Sequence, residues 1–156
     1  HVSAVPNHQT GRSVDFKTRG VVAMAGAFGY ELDLNLLTEE EKDEVRNQIR
    51  DYKKDGELIR SGDYYRLHMP GKDTETAAWE FVSKDKSKAL VSIVTLDNHG
   101  NAPTNYVHLR GIKAGAVYRC GETGKLHSGA VLMHSGYPVP SVMGEYKAWQ
   151  FHFTEQ

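Results

Sequence analysis

The stretch "VVAMAGAFGYELDL", Val21 to Leu34, constrains this chain more than any other. Its apolar residues occupy both alternating faces, interrupted by Gly26 and Gly29. A strand that is apolar on both sides needs cover on both sides, as helices provide in a parallel sheet. The pattern predicts an enclosed strand over Val21 to Ala27, after a short helix within Arg12 to Val22. Such a strand also needs neighbours for its amides and carbonyls. Without them it is expected to be under-covered, or paired with another copy or with the β-sandwich of the chain's second half.

Thr38-Glu39-Glu40-Glu41 reads as a capping box, in which the Thr38 hydroxyl accepts from the Glu41 amide and the Glu41 carboxylate accepts from the Thr38 amide. Glutamates in a first helical turn also complement the positive end of the helix dipole. Val45, Ile49 and Tyr52 follow at i, i+4 and i+7, which predicts a core-facing stripe, with Lys42, Arg46, Lys53 and Lys54 toward water and Gly56 as a stop. Strand followed by long helix is half of a βα repeat.

From Asp63 the grammar changes to β. "DYYRLHM", "AAWEFVS", "ALVSIVTL", "YVHLRG", "AVYRC", "GAVLMHS" and "YKAWQFHF" are short aromatic and β-branched runs. Turn residues such as Pro70-Gly71-Lys72-Asp73, Asn98-His99-Gly100-Asn101 and Gly121-Glu122-Thr123-Gly124 separate them. In the last run Trp149, Phe151 and Phe153 alternate with Ala148, Gln150 and His152, predicting one buried and one wetter face. The fold class expected is α+β by content, an α/β segment over residues 1–60 followed by an antiparallel β-sandwich over 61–156.

Composition narrows the function classes. A formal net charge of −1 removes the electrostatic drive that a phosphate backbone requires, and Lys84-Asp85-Lys86-Ser87-Lys88 sits among turn residues, so no nucleic-acid partner is expected. The apolar stretch from Val21 to Tyr30 is well short of the roughly 20 residues of a spanning helix, so a soluble chain without a membrane partner is expected. Cys120 alone forms no internal disulfide, which fits a reducing compartment and a cytoplasmic location. Next to Gly121 in a strand pattern, it reads as a buried, inert thiol. His1, His8, His68, His99, His108, His127, His134 and His152 show no ligand spacing, so no metal is expected. Gly26 and Gly29 lack the dinucleotide fingerprint, and no G-x-S-x-G elbow places a serine nucleophile.

The opening "HVSAVPNHQTGR", with turn chemistry at Pro6-Asn7 and Thr10-Gly11, reads as a loop whose preceding element is missing, as in the tail of a longer enzyme. Together with "KTRGVVAMAGAFGYELDL" and "LTEEEKDEVRNQIRDYK" it resembles the last part of the catalytic barrel in glycoside hydrolase family 36, the bacterial α-galactosidases. The β-rich half is similar to the sandwich that closes that family's chains. The resemblance implies that residues 1–60 are the last βα units of a (β/α)8 barrel, with "VVAMAGAFGYELDL" as its eighth strand, the Thr38 helix as partner, and His1 to Gln9 as the loop beyond strand seven. It implies removal of terminal α-linked galactose from oligosaccharides such as melibiose and raffinose, with retention of configuration and no cofactor, by a homo-oligomer, a tetramer by family precedent. Retention requires two carboxyls about 5–5.5 Å apart. In the family both are aspartates on earlier barrel strands, and neither of their motifs occurs here, so no catalytic residue is expected in this chain and it is expected to be inactive alone.

Barrel enzymes carry their sites on loops at the carboxyl ends of strands. His1, Ser3, Asn7 and His8 are accordingly the candidate substrate-binding residues, although satisfying loop backbone groups accounts for Asn7 and His8 better than direct substrate contact does. Glu31 and Asp33 share one side of a strand, yet structural hydrogen bonding accounts for them better than catalysis. Trp79 and Trp149, alternating with Phe81, Phe151 and Phe153, are expected in the core rather than on a sugar-stacking face. The alternatives from other classes are a non-catalytic carbohydrate-binding or interaction sandwich and a free-standing protein that oligomerises through an edge strand.

Overall fold

The computed structural model describes residues 1–71 and 75–156. Lys72 and Asp73 of the expected Pro70–Asp73 turn lie outside the described residues. The elements run β1 (Val2–Ser3), α1 (Phe16–Ala23), β2 (Tyr30–Glu31), a 3₁₀ turn (Leu34–Leu36), α2 (Glu39–Ser61), β3 (Asp63–His68), β4 (Thr76–Val82), β5 (Lys88–Thr95), β6 (Tyr106–Val107), β7 (Val117–Cys120), β8 (Leu126–Ser128), α3 (Gly129–His134), β9 (Tyr137–Pro138) and β10 (Lys147–Glu155).

The first correction concerns the enclosed strand. Val21 to Ala23 belong to α1, and the strand that follows is only Tyr30–Glu31. A short apolar run does not distinguish buried helix from buried strand by periodicity. The local chemistry decides it: Asp15 Oδ1 accepts from the Thr18 amide at 2.7 Å as an N-cap, and Phe16, Gly20, Val21 and Met24 are buried together along the helix. A second correction follows, because His1 to Gln9 is not wholly loop. Val2–Ser3 is a strand paired in parallel with Tyr30–Glu31, in the register Val2↔Tyr30 and Ser3↔Glu31.

Helix α2 starts as its sequence dictates. Thr38 Oγ1 accepts from the Glu41 amide at 3.2 Å and Glu41 Oε2 accepts from the Thr38 amide at 3.0 Å. Its buried side differs from the expected stripe, being Gln48, Asp55, Gly56 and Ile59 with Tyr52 half-buried, while Ile49 is exposed. Gly56 does not stop the helix; it is a buried position within it. The stop is Gly62, where a Cβ would stand 2.4 Å from the Leu58 carbonyl oxygen and 2.9 Å from that of Val82. Only a residue without a side chain lets the backbone turn so tightly from α2 into β3.

The β half is one six-stranded antiparallel sheet, ordered β3-β4-β5-β10-β7-β8, and a two-stranded ribbon β6-β9. Two of the expected runs need correction: "GAVLMHS" is the short helix α3 and "YVHLRG" contributes only Tyr106–Val107, while in "YKAWQFHF" Gln150 and His152 are half-buried beside the buried Phe151 and Phe153. One face of the sheet packs Ala78, Val82, Val91, Ile93, Phe151 and Phe153 against Val107, Leu109, Leu132, Tyr137 and Val139 from the ribbon, α3 and adjoining loops. The opposite face receives the helices: Val21 of α1 meets Val94 and Ala148, and Ile59 of α2 meets Phe81 and Leu90. Strand β5 lies between both layers, which is why Ala89 to Thr95 are all buried. Trp79 and Trp149 pack against these cores, and Cys120 is buried, as expected. Glu80 is enclosed in the first face, wholly buried.

Among the described residues no helix is long and apolar enough to cross a membrane.

Candidate functional site

The parallel pair sets the geometry. Val2 is fully buried and α1 packs against β1, so alternation turns His1 and Ser3 to the other side. Glu31, opposite Ser3, shares that side, and His1 Nε2 meets Glu31 Oε2 at 2.5 Å. The pair is held down from the helix side. Arg19 of α1 donates Nε to the Val14 carbonyl at 3.0 Å and Nη1 to the Ser3 carbonyl, while its guanidinium lies 4.7 Å from the Phe16 ring centroid.

Beyond β1 the chain forms a compact loop. The Asn7 amide donates to the Arg12 carbonyl and the Gly11 amide to the Asn7 carbonyl, each at 2.8 Å, with Gly11 at φ +66. A left-handed residue closing such a turn is suited to glycine. Asn7 Oδ1 accepts from the amides of Gln9 and Thr10 at 3.0 Å and from Thr10 Oγ1 at 3.1 Å. The acceptor half of Asn7 is therefore saturated by its own loop, while its Nδ2 donates to none of the described residues. His8 is exposed at the loop tip. Among the described residues no hydrogen bond or ion pair joins Asn7 or His8 to His1 or Ser3. The candidates thus fall into two groups: His1 and Ser3 beside Glu31 on the sheet, and Asn7 and His8 on the loop beyond it.

Glu31 and Asp33 do not act as a pair. Asp33 Oδ1 accepts from the amide and Nδ2 of Asn35, both at 2.9 Å, and so caps the 3₁₀ turn. Behind the parallel pair, Gln48 forms a buried polar junction. It donates to the Phe16 carbonyl at 3.2 Å and accepts from Tyr30 Oη at 3.0 Å, so one amide ties α2 to α1 and β2. Burial, with Glu44 nearby, pushes the Tyr30 phenol up to about 12, so it stays a donor. An isolated glutamine in a helix gave no sequence signal of this role.

A second polar cluster also escaped the sequence. His152 of β10 meets Asp55 of α2 through Nε2 at 2.9 Å and Glu122 of the β7–β8 turn through Nδ1 at 2.6 Å. Hydrogen bonds to Asp55 and Glu122 outweigh burial and raise the imidazole to about 9. Burial opposes the Glu122 charge, but the bonds from His152 hold that carboxyl below its ordinary range. The cluster borders a groove of about 540 Å³ between α2 and the turn before β5. Two further charged groups in that groove are engaged, Lys84 with Asp63 and Asp85 with Ser83 and Ser87. It reads as a charged clamp between elements. Among the described residues no group of three or more His, Cys, Asp or Glu side chains is arranged to hold a metal ion.

Comparisons with known proteins give consistent results. Residues 1–62 match the family described as Melibiase, and residues 76–153 match the Glycosyl hydrolase family 36 C-terminal domain. The chain is 56% identical over 155 residues to the bifunctional alpha-galactosidase/sucrose kinase AgaSK of Mediterraneibacter gnavus, covering 99% of this chain and 16% of that protein. It is 46% identical over 158 residues to alpha-galactosidase AgaA of Geobacillus stearothermophilus, covering 100% of this chain and 21% of that one. The galactosidase domain of AgaSK superposes with a TM-score of 0.97 at 55% identity, over 100% of this chain and 22% of that one. The crystal structure of AgaA superposes at 0.94 and 40% identity, over 100% and 21%, and a variant of AgaA has been solved in complex with raffinose. The chain therefore spans about a fifth of the length of these curated relatives.

Proposed function

The chain belongs to glycosyl hydrolase family 36, and on that premise we propose that it is the carboxyl-terminal part of a retaining α-galactosidase that releases terminal α-D-galactose from oligosaccharides such as melibiose and raffinose. In this reading residues 1–60 are the last βα units of a (β/α)8 barrel, and residues 61–156 are its carboxyl-terminal antiparallel domain. The observation that carries it is the parallel pair β1–β2, clad by α1 on one side and presenting His1, Ser3 and Glu31 on the other. That is the form of two adjacent barrel strands with their helices outside and polar side chains inside.

The parent reaction is a double displacement in which one carboxylate attacks the anomeric carbon and a second carboxyl protonates the leaving oxygen, then activates water. Neither role falls to a residue here. This chain's contribution is to close the barrel, to hold β1 through the Arg19 hydrogen bond to the Ser3 carbonyl, and to offer Asn7 Nδ2 and the His8 imidazole at the rim, where sugar hydroxyls accept or donate. A homo-oligomer, tetrameric by family precedent, and a cytoplasmic location go with this reading.

The rival, a carbohydrate-binding sandwich, needs a bare aromatic sheet face. Trp79 and Trp149 are instead half-buried, packed against the cores on opposite faces of the sheet. The test is turnover of an aryl α-galactoside by this chain alone and by the complete polypeptide, with calorimetric titration of the chain by galactose and raffinose. The complete polypeptide turns over, and the chain alone gives neither turnover nor heat. Turnover by the chain alone would overturn the assignment of catalysis to upstream carboxyls.

A further inference from the structure

The carboxyl-terminal domain touches the base of the candidate sugar loop. Segment 141–147, between β9 and the start of β10, runs beside residues 12–15. The Arg12 guanidinium lies 4.8 Å from the centroid of the Tyr146 ring, and Lys147 Nζ meets Asp15 Oδ2 at 2.8 Å. Asp15 is at the same time the N-cap of α1 through its other oxygen. Burial opposes its charge, yet the bonds from Lys147 and Thr18 hold its carboxyl below the ordinary range.

Two features show that the segment is itself fixed. Asn98, after β5, donates Nδ2 to the Val142 carbonyl at 3.2 Å and to the Gly144 carbonyl. Tyr146 has φ +53, in the left-handed region, where a bulky residue sits only when its surroundings determine it. Arg12 in turn supplies the carbonyl that receives the Asn7 amide and closes the loop. A continuous run of contacts thus leads from Asn98 through 142–144 and Tyr146 to Arg12 and Asn7.

We propose that Arg12 and Tyr146 are positioning residues, through which the carboxyl-terminal domain holds the Asn7 loop in the geometry that meets substrate. The proposal rests on the reading above that this loop borders the sugar site. The arginine face contact is the working part: a cation over an aromatic face is attracted without a fixed hydrogen-bond direction, so it restrains the loop base against an otherwise exposed surface. The left-handed Tyr146 backbone serves to present the ring.

Three variants separate ring, charge and backbone. Tyr146→Phe keeps the ring face, Tyr146→Gly relieves the left-handed backbone but removes the ring, and Arg12→Gln removes the cation. Amide hydrogen exchange in this chain reads the restraint directly at Asn7 and Gly11. Protection there falls about tenfold in Tyr146→Gly and Arg12→Gln and is kept in Tyr146→Phe. In the complete polypeptide, KM for raffinose rises about threefold to tenfold in the same two variants with kcat little changed, and Tyr146→Phe behaves as wild type. Unchanged exchange in Tyr146→Gly overturns the restraint. Faster exchange with unchanged KM overturns its role in substrate binding. Absence of α-galactosidase turnover in the wild-type complete polypeptide overturns the underlying reading instead, and the exchange arm tells the two apart.

Discussion

Gly20 of α1 and Gln48 of α2 interlock: a Cβ built on Gly20 would stand 2.3 Å from Gln48 Nε2, inside space that the buried amide already fills. The glutamine cannot simply swing aside, because it is bonded to the Phe16 carbonyl and the Tyr30 hydroxyl. Gly20→Ala therefore displaces a satisfied buried amide and costs about 1–3 kcal/mol, despite the better helix propensity of alanine. In a Gln48→Ala background the same substitution meets no amide and becomes neutral or stabilising by up to about 1 kcal/mol. Urea unfolding of the four proteins of the cycle checks the reversal of sign.

His152 makes stability fall on the alkaline side. The unfolded imidazole loses its proton near 6.5, whereas the folded one keeps it to about 9 under the influence of Asp55 and Glu122. The clamp's contribution is complete below pH 6.5, declines through the interval, and is gone above about 9. His152→Gln costs about 1.5–3 kcal/mol at pH 6 and flattens this part of the profile. Thermal midpoints between pH 5.5 and 9.5 measure it; a variant with the wild-type slope between 6.5 and 9 would count against the clamp.

Glu80 acts over an earlier window and in the same direction. Burial, only partly offset by the Arg110 amide that donates to Oε1, raises its carboxyl to about 8. The folded protein thus holds a proton that the unfolded chain releases near 4.5, and stability declines as pH rises from 4.5 to 8. Glu80→Gln keeps the acceptor for Arg110 without the charge. It is expected to match wild type at pH 4 and exceed it by about 1–3 kcal/mol at pH 8. Denaturant midpoints for both proteins at the two pH values decide the matter.

Asn7 offers a clean separation of scaffold from substrate contact. Its Oδ1 accepts three bonds within the loop, and Asn7→Asp preserves all three acceptor positions while deleting the Nδ2 donor. In the complete polypeptide this substitution lowers kcat/KM for raffinose by about tenfold or more with the melting temperature kept. Wild-type kcat/KM in that variant assigns Asn7 to the loop alone.

Legibility followed the range over which each signal acts. The Thr38 capping box is complete within four residues, and the structure reproduces both of its bonds. Strands β3, β4, β5, β7 and β10 emerged because β-branched and aromatic residues cluster between turn residues. Val21 to Ala27 misled because apolarity on both sides is shared by a buried strand and a short helix, and the deciding Asp15 cap lies outside the run. Gln48, Glu80 and His152 were invisible for a different reason. Their partners, Phe16, Arg110 and Asp55, lie 32, 30 and 97 positions away, so nothing near them in the chain announces a bond. Among the site candidates, His1 and Asn7 were legible only as polar residue types on a turn-rich segment, whereas the Glu31 contact and the saturated Oδ1 needed coordinates.

The cladding of the large sheet by α1 and α2 bears on how the molecule would respond to force. Val21 packs with Val94 and Ala148, and Ile59 with Phe81 and Leu90, so α1 and α2 are each joined to the sheet by buried apolar contacts. The junction near Gly62 is a weld and not a hinge. A twist of the large sheet would therefore be felt first by α1 and α2 through these two apolar contacts, and not be taken up at the Gly62 turn alone.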